Sequence, residues 1–524
     1  MILKPQRLLN EGLIGSAEKY PEKIAVISDE GEYTYRHLKK ESLSLASSLI
    51  KRGLKKGDRV LIFMENSWTE AVSIYAVSIA GGVFVVVNPQ TKAEKLRYIA
   101  EDSGAKILIT EYRLNREYAV FSDKPGPVRN LLVKGGENMQ ITTGSVVTED
   151  LDKIINERSD PVVFPRVIPN DLAALIYTSG STGDPKGVMM THESMVFATW
   201  SLIEYLRLTP EERIMLVLPM SFDYGLYQLL MSVTIGATLI IEKNFIFLGS
   251  IYKRINETKP TVFPGVPTTF SMMASSYKRD PISFPSIKKI TNTAAALSPE
   301  LIPVLKKIFP NALIFKMYGL TECKRVSYLE PELIDQKPAS VGKAIPGTEV
   351  FILDEKGKEA GPDETGVLYV RGPHVMLGYW KKEELSKEML KPGKLPWERI
   401  LCTNDLFRMD EEGFLYFVGR NDDIIKTRGE KVSPLEVEKV INRLKGVKES
   451  AVIGIPDEIM GEVIVAFVSP ENNELTVKDV QHYCSTQLES FMIPQKVILM
   501  DDLPKTANRK IDKLLLKKIA LDEK

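Results

Sequence analysis

The sequence predicts an α/β fold, with a large N-terminal part built on parallel-rich sheets and a small α+β part at the C-terminal end. Three observations support this prediction. Strand and helix patterns alternate through the first hundred residues, and the same alternation recurs at residues 171–311. Beyond Gly342 the pattern changes to short antiparallel strands. Apolar strands that alternate with helices over short connections are typical of parallel sheets covered by helices. A chain of 524 residues with 44% hydrophobic residues is long enough for two large domains or three smaller ones.

The N-terminal part alternates buried strands with helices in chain order. Apolar runs rich in β-branched residues predict the strands, and helical periodicity predicts the segments between them. The predicted strands are residues 60–63, 83–87, 106–110, 173–177, 214–218, 238–242 and 289–293. Helices are predicted at residues 67–80 and 93–103. These helices would cover a sheet face, because parallel strands need a crossover connection.

Shorter strands and a compact final segment follow. Residues 349–353 and 366–370 predict antiparallel strands joined by turns rich in Gly, Asp and Lys, which we interpret as a small β-barrel-like region. The final α+β segment has predicted helices at residues 434–444 and 477–488 and predicted strands at residues 451–455 and 463–468. The polar stretch at residues 419–423 could join this segment to the rest of the chain.

Composition excludes several classes of protein. Sixty-nine basic residues balance sixty-nine acidic ones, so the chain lacks the strongly basic charge of a dedicated nucleic-acid binder. The three cysteines are odd in number and far apart in the sequence, which suits a reducing compartment. The four histidines are also scattered and show no metal-ligand spacing. These residues are Cys323, Cys402, Cys484, His37, His192, His374 and His482.

Targeting and membrane signals are weak. The N-terminus has no signal-peptide core. The uncharged stretch at residues 71–88 is split by Gly81 and Gly82, so we interpret it as a buried helix followed by a buried strand rather than a membrane span. A soluble cytoplasmic protein is therefore predicted.

The most informative motif is Tyr177-Thr-Ser-Gly-Ser-Thr-Gly-Asp-Pro-Lys-Gly187, which follows a predicted strand. Its glycines and small hydroxyl residues expose backbone N–H groups and hydroxyls, and Lys186 adds a positive charge. These groups together are suited to bind phosphate. The motif differs from the Walker loop, because Pro185 precedes the lysine and Gly187 follows it.

On this motif the sequence resembles the adenylate-forming superfamily of acyl-CoA synthetases, peptide-synthetase adenylation domains and luciferases. Five further motifs match that superfamily in its order along the chain. They are Tyr318-Gly-Leu-Thr-Glu322, the segment from Arg371 to Gly378-Tyr-Trp380, Asp405 with Gly419-Arg420, the loop from Lys426 to Glu438, and Leu503-Pro-Lys-Thr506 with Lys510. The sequence looks most like stand-alone AMP-forming acyl-CoA ligases, which implies ATP and Mg²⁺ as cofactors.

The resemblance implies a role for each nucleotide-binding residue. The β- and γ-phosphates would be held by the loop residues Thr178, Ser179, Gly180, Ser181, Thr182, Gly183 and Lys186. Thr321 would contact the α-phosphate, and Glu322 would bind Mg²⁺ through a hard oxygen ligand. Adenine would lie beside Tyr318 and the small residues Ala294, Ala295 and Ala296. Asp405 and Arg420 would hold the ribose hydroxyls.

Lys510 is the predicted catalytic lysine, which would bridge the substrate carboxylate and the α-phosphate. Two positions, each directly before a predicted site residue, depart from the superfamily pattern. Arg509 replaces the usual glycine before the lysine, so we expect either that this loop differs in detail or that Arg509 contacts the phosphates. Asn404 replaces the usual glycine before Asp405, and little change is expected because asparagine tolerates left-handed backbone.

The resemblance also implies two half-reactions served by one mobile domain. We predict an N-terminal adenylation domain at residues 1–419 and a mobile C-terminal domain at residues 420–524. Rotation about Asp422 would alternate Lys510 with a thiol-tunnel loop containing Gly429. Acyl-adenylate formation and thioester formation would then share one active site.

The acid pocket is predicted from Phe222, Asp223 and Arg325. Phe222 lies at a gate position of the superfamily, and Asp223 lies where amino-acid-activating relatives carry an aspartate for the substrate ammonium. A buried carboxylate needs a partner, which could equally be that ammonium or Arg325. A helix N-cap role for Asp223 is a third possibility. The acid, whether fatty, aryl or amino, stays open.

The predicted function is ligation of a small carboxylic acid to a thiol, with CoA favoured as acceptor. The sequence ends fourteen residues after Lys510, so we expect no fused carrier domain. A separate carrier protein is the main alternative acceptor. A luciferase-like oxygenase and a degenerate nucleotide-binding protein are further alternatives, and oligomeric state is left open.

Overall fold

A computed structural model gives the arrangement of most of the chain. The residues it describes are 5–123, 126–136, 140–143, 146–157, 162–178, 185–243, 247–293, 297–427, 430–457, 460–472, 474–488, 490–506 and 510–522. The chain forms two compact units. The first contains residues 1–350 and 370–401, and the second contains residues 351–369 and 402–524. The domain boundary predicted between residues 419 and 420 stays a prediction.

Helices and strands alternate through most of the chain. The helices are α1 (Leu9–Lys19), α2 (Tyr35–Lys51), α3 (Trp68–Ile79), α4 (Ala93–Ser103), α5 (Asn115–Tyr118), α6 (Val120–Asp123), α7 (Leu151–Asn156), α8 (His192–Tyr205), α9 (Asp223–Ile235), α10 (Leu248–Thr258), α11 (Pro267–Arg279), α12 (Ile302–Ile308), α13 (Glu383–Met389), α14 (Pro434–Ile441), α15 (Val477–Gln487) and α16 (Lys513–Asp522).

The strands to residue 292 are β1 (Ile24–Ser28), β2 (Gly31–Thr34), β3 (Arg59–Phe63), β4 (Val83–Val87), β5 (Ile107–Glu111), β6 (Asn130–Lys134), β7 (Gln140–Thr143), β8 (Val146–Asp150), β9 (Leu172–Thr178), β10 (Lys186–Thr191), β11 (Arg213–Leu216), β12 (Thr238–Ile241), β13 (Val262–Gly265) and β14 (Lys289–Asn292). Those that follow are β15 (Leu313–Tyr318), β16 (Ser327–Leu329), β17 (Lys343–Ala344), β18 (Glu349–Leu353), β19 (Gly366–Arg371), β20 (Leu390–Pro392), β21 (Arg399–Met409), β22 (Leu415–Arg420), β23 (Ile425–Thr427), β24 (Glu430–Val432), β25 (Val447–Asp457), β26 (Gly461–Pro470) and β27 (Lys496–Leu499).

Two large sheets organise the first unit. One has the strand order β17-β16-β15-β14-β13-β11-β12-β1-β2, and the other has the order β10-β9-β4-β3-β5-β6-β8-β7. Their central strands pair in parallel, whereas antiparallel pairs such as β9 with β10 occur at the edges. The prediction of parallel-rich sheets is confirmed.

Smaller sheets complete the chain. Strands β18, β19, β21 and β20 form a sheet in that order, with β22 paired to β21. The final segment has the order β24-β23-β26-β25 with β27 on β26, and an apolar core under α14 and α15 includes Val437, Ile441, Val480 and Cys484. The predicted α+β character of the C-terminal part is confirmed.

The uncharged stretch at residues 71–88 is buried in the first unit. Every residue of α3 and of β4 is buried, and the Ser67 hydroxyl caps the helix by accepting a hydrogen bond from the Glu70 amide. Gly81 joins the two elements at φ +73°, a conformation that favours glycine. Within the described ranges, no helix has the length and hydropathy needed to cross a membrane. The cytoplasmic location stays a prediction.

Candidate active site

The phosphate-loop motif lies in a β-hairpin. β9 and β10 pair in antiparallel register, with Thr178 opposite Lys186. The structure therefore brings together the two ends of the motif. The remaining predicted phosphate residues Ser179, Gly180, Ser181, Thr182 and Gly183 lie outside the described residues, as do the predicted adenine neighbours Ala294, Ala295 and Ala296.

Tyr379 connects the hairpin to the Thr-Glu motif. The Lys186 Nζ lies 4.9 Å from the centre of the Tyr379 ring, in a cation–π contact. The Tyr379 hydroxyl donates a hydrogen bond of 2.7 Å to Glu322 Oε1. Backbone pairing fixes this arrangement, because the Trp380 amide donates to the Gly187 carbonyl oxygen at 2.8 Å. Two predicted site residues, Lys186 and Glu322, thus contact one aromatic side chain.

A tight turn after β15 presents Thr321 and Glu322. Tyr318 is the last residue of β15, and Gly319 follows at a place where a Cβ atom would lie 2.1 Å from the Lys324 carbonyl oxygen. Lys324 has φ +65°, and its Nζ donates a hydrogen bond of 2.9 Å to the Thr321 carbonyl oxygen. The glycine is therefore needed for the turn to close.

In the second unit, Asp405 and Arg420 face each other across paired strands. β21 and β22 place Asp405 opposite Arg420, and Arg420 Nε lies 3.4 Å from Asp405 Oδ1. Asn404 has φ +57°, and its Oδ1 accepts a hydrogen bond of 3.3 Å from Asn421 Nδ2. Asparagine adopts left-handed backbone more readily than most residues, which explains its place here. The carboxylate and guanidinium predicted for the ribose are thus adjacent.

Lys510 lies on an exposed turn of the second unit. Its carbonyl oxygen accepts a hydrogen bond of 2.7 Å from the Thr506 amide, and an isolated bridge between Lys505 and Ile511 closes the turn. Arg509 and Gly429 lie outside the described residues. Asp422 belongs to a single 3₁₀ turn, Asn421–Asp423, and its side chain is also outside the described part.

Asp223 and Arg325 form a buried ion pair in the first unit. Arg325 Nη1 lies 3.4 Å from Asp223 Oδ2, with the two side chains 3% and 5% exposed. The N-cap of α9 is Phe222 rather than Asp223, and Asp223 is the first residue of the helix. Of the two partners and the N-cap role considered for Asp223, the structure shows the pair with Arg325.

A cavity lies beside this aspartate. It is lined by Asp223, the Ser221 hydroxyl and five apolar side chains: Phe84, Val86, Ile176, Met220 and Leu226. The Ser221 hydroxyl is buried and has no hydrogen-bond partner in the described structure. The cavity has room for roughly one water molecule and lies close to the predicted acid pocket.

Helix α4 holds the base of the hairpin through residues that sequence reasoning missed. The Tyr98 hydroxyl donates a hydrogen bond of 3.3 Å to the Pro185 carbonyl oxygen, and the Tyr177 hydroxyl donates one of 2.5 Å to Asp102 Oδ2. Burial and the Asp102 carboxylate together raise the pKa of Tyr177, so its hydroxyl remains a donor. No sequence signal marked Tyr98 or Asp102, because they are ordinary helix residues far from the motif.

The fold and these residues together define a class of protein, the adenylate-forming enzymes. Comparison with known families agrees. The AMP-binding enzyme family model matches residues 14–380, and the AMP-binding enzyme C-terminal domain matches residues 436–510. The chain belongs to the AMP-binding enzyme family, which confirms the resemblance found in the sequence.

Similar proteins include several CoA ligases. A long-chain-fatty-acid–CoA ligase of Bacillus subtilis (strain 168) is 31% identical, over 97% of this chain and 93% of the relative. The structure of o-succinylbenzoate CoA synthetase from Bacillus subtilis with its acyl-adenylate intermediate has a TM-score of 0.84 and 28% identity, covering 97% of each chain. The same enzyme with ATP and magnesium has a TM-score of 0.82 and 27% identity, covering 95% of this chain and 98% of the other.

Proposed function

We propose that this protein is an AMP-forming acid–CoA ligase. It activates a carboxylic acid with MgATP to an acyl-adenylate, releases pyrophosphate, and transfers the acyl group to CoA. The observation that carries this proposal is the contact of Tyr379 with both Lys186 and Glu322, which joins the phosphate-loop hairpin to the Thr-Glu turn. The named relatives support CoA as acceptor.

Adenylation requires an anionic carboxylate to attack the α-phosphorus of an anionic nucleotide, so the site must neutralise charge and align the groups. Lys186 and the hydroxyls of the hairpin loop bind the β- and γ-phosphates. Thr321 donates to the α-phosphate. Glu322 supplies a carboxylate oxygen suited to Mg²⁺, and the Tyr379 hydroxyl orients that carboxylate. When bound, Mg²⁺ neutralises phosphate charge.

Residues of the second unit complete the proposed reaction. Asp405 accepts from the ribose hydroxyls and Arg420 donates to them. Lys510 neutralises the carboxylate and α-phosphate as they react. In the thioester half-reaction, rotation at Asp422 replaces Lys510 with the loop containing Gly429, which lines the path of the thiol. A carrier protein in place of CoA remains the alternative acceptor.

Pyrophosphate release from MgATP tests the proposal. A panel of fatty, aryl, dicarboxylic and amino acids is assayed with and without CoA, and products are identified by mass spectrometry. We expect turnover with one class of acid, faster with CoA, and a matching acyl-CoA. Adenylation that CoA leaves unchanged would favour a carrier protein, and the absence of AMP formation with every acid would contradict the proposal.

Replacing Glu322 by glutamine should weaken the binding of Mg²⁺. We expect Glu322→Gln to lower pyrophosphate release by about a hundredfold and to raise the half-saturating Mg²⁺ concentration, because an amide is a poorer ligand for a hard cation. A magnesium titration at saturating ATP measures both effects. The control is Glu332→Gln, which removes a surface carboxylate paired with Arg207. Equal magnesium curves for the Glu322 variant and wild type would exclude the assigned role.

Removing one hydroxyl from α4 should affect nucleotide binding. We expect Tyr98→Phe to raise KM for ATP about 2–10-fold, because one hydrogen bond to the base of the hairpin is lost. KM for the acid should stay constant, since Tyr98 contacts the hairpin. Steady-state kinetics with each substrate varied separately measures this split. Tyr112→Phe, at an exposed tyrosine, is the control. Parallel changes in both KM values would instead indicate general loosening of the fold.

A further inference from the structure

A largely buried ion pair lies just beyond Lys510 in the chain. Lys513 Nζ donates a hydrogen bond of 2.7 Å to Glu438 Oε1, and the two side chains are 30% and 11% exposed. Lys513 is the first residue of α16, and Glu438 lies in α14, 75 positions earlier. The pair thus fixes the start of α16 against another helix of the second unit.

The same pair binds the outer side of β25. Glu438 Oε1 also accepts a hydrogen bond of 2.8 Å from the Val452 amide, and Lys513 Nζ donates one of 3.2 Å to the Val452 carbonyl oxygen. β25 is the last strand in the order of its sheet, so the peptide groups on its outer side need partners other than a strand. Because Val452 is fully buried, loss of either side chain would leave a buried peptide group without that partner.

The turn that carries Lys510 is continuous with α16. Its stem is closed by the Asp512 amide, which donates a hydrogen bond of 2.8 Å to the Pro504 carbonyl oxygen. The Asp512 carboxylate accepts a hydrogen bond of 3.0 Å from the Leu515 amide in the first turn of α16. Since Asp512 directly precedes Lys513, a shift of Lys513 would be transmitted to the stem and from there to Lys510.

A second ion pair holds the other side of the stem. Lys505 Nζ lies 3.0 Å from Glu449 Oε1, and the two side chains are 36% and 19% exposed. Glu449 also belongs to β25. The turn is therefore anchored to β25 on both sides, by Lys505 before Lys510 and by Lys513 after it. Two fixed ends restrict the positions that Lys510 can adopt.

Glu438 connects this turn to the other loop that is proposed to enter the active site. β23 and β24 pair in antiparallel register, with Thr427 opposite Glu430. Gly429 lies between these strands in the sequence, and α14 begins shortly after β24. The ion pair thus joins the two helices that follow the two loops. A rotation of the second unit would move both loops as one body.

Resting on the proposed function, we propose that Lys513 and Glu438 are positioning residues that hold Lys510 in place for acyl-adenylate formation. Both act through the stem of the turn rather than by contact with the substrate. A displacement of about 1 Å at a catalytic group can slow a reaction about a hundredfold, so releasing one end of the stem should slow the step that uses Lys510. Thioester formation does not use Lys510 and should be affected little.

The two half-reactions, measured separately, test this role. Lys513→Met removes the ammonium and keeps an unbranched side chain. We expect kcat for pyrophosphate release to fall about 10–100-fold, while KM for ATP changes less than about twofold, because the nucleotide is proposed to bind through other residues. Acyl-CoA formation from synthetic acyl-adenylate should change less than about threefold. Lys513→Arg, which keeps the charge and the donors, should restore most of the lost rate. Lys518→Met, at an exposed lysine of the same helix, is the matched control and should behave as wild type.

Combination with Lys510→Ala separates positioning from general stability. If Lys513 acts through Lys510, Lys513→Met should lower pyrophosphate release by less than about twofold in the Lys510→Ala background. A loss that arises from loosening of the second unit would instead multiply with the loss caused by Lys510→Ala. The charge-neutral double variant Glu438→Gln with Lys513→Met keeps an acceptor for the Val452 amide, so it provides the same test if the single variant fails to fold.

The contrary outcomes are distinct. If Lys513→Met keeps the wild-type rate of pyrophosphate release, or slows both half-reactions equally, the inference is wrong and the ligase function stands. The same conclusion follows if Lys513→Met slows pyrophosphate release by the same factor with and without Lys510. If Lys510→Ala keeps the wild-type rate, the catalytic role of Lys510 is wrong and the inference is wrong with it. If no acid yields AMP with the wild-type protein, the proposed function itself is wrong.

Discussion

Replacing Lys510 by alanine is expected to slow acyl-adenylate formation by about a thousandfold or more. The attacking carboxylate and the α-phosphate are both anionic, and a positioned cation stabilises the transition state in which they approach. Thioester formation from supplied acyl-adenylate should largely survive, because the phosphoryl step is already complete. The measurements are pyrophosphate release for the first half-reaction and acyl-CoA formation from synthetic acyl-adenylate for the second.

The matched control is another exposed lysine of the same unit. Lys518→Ala changes α16 without touching the turn that Thr506 and Lys510 close, so it should leave both half-reactions near wild-type rates. Equal loss of both half-reactions in Lys510→Ala would contradict the proposed division of labour. If Lys510→Ala carries out both half-reactions at wild-type rates, Lys510 is not catalytic, and another cation of the second unit must take the proposed role.

Some elements were predictable because their sequences are locally unambiguous. The strand predicted at residues 83–87 and the helix predicted at residues 93–103 have the same bounds in the structure as β4 and α4. β4 is a run of five buried residues, four of them valine, preceded by two glycines that end the previous helix. Propensity, burial pattern and turn residues all agree there.

The bounds of other elements were predicted less exactly. The helix predicted at residues 434–444 ends at Ile441, and the strand predicted at residues 451–455 extends over Val447–Asp457. In β25, the long antiparallel ladder with β26 extends pairing into polar residues such as Glu449. Hydrophobic pattern alone cannot show how far a partner strand continues a ladder.

Side-chain partners across the fold were the least predictable part of the site. The phosphate-loop and Thr-Glu motifs are contiguous, so the sequence identified them directly. The contacts of Tyr98 and Asp102 with the hairpin depend on how α4 packs against β9 and β10, which no local pattern records. Asp223 and Arg325 are 102 positions apart, and the sequence left Arg325, a substrate ammonium and an N-cap role open for Asp223.

Breaking the buried pair of Asp223 and Arg325 should destabilise the first unit. We expect Asp223→Ala to lower the free energy of unfolding by about 3–5 kcal/mol, because it leaves the Arg325 guanidinium buried without its counter-charge. The double variant Asp223→Ala with Arg325→Met should lose less than the single variant. All four tryptophans, Trp68, Trp200, Trp380 and Trp397, lie in the first unit, so urea unfolding followed by tryptophan fluorescence reports on this unit.

A surface pair gives the scale for this comparison. Arg207 and Glu332 lie 2.7 Å apart, closer than Asp223 and Arg325, but their side chains are 47% and 54% exposed. Glu332→Ala should cost less than about 1 kcal/mol, because Arg207 keeps Glu330 as a partner and solvent screens the exposed charges. If burial rather than distance decides the effect, Asp223→Ala must cost several times more. Similar costs for the two variants would show that water or another group already compensates Arg325.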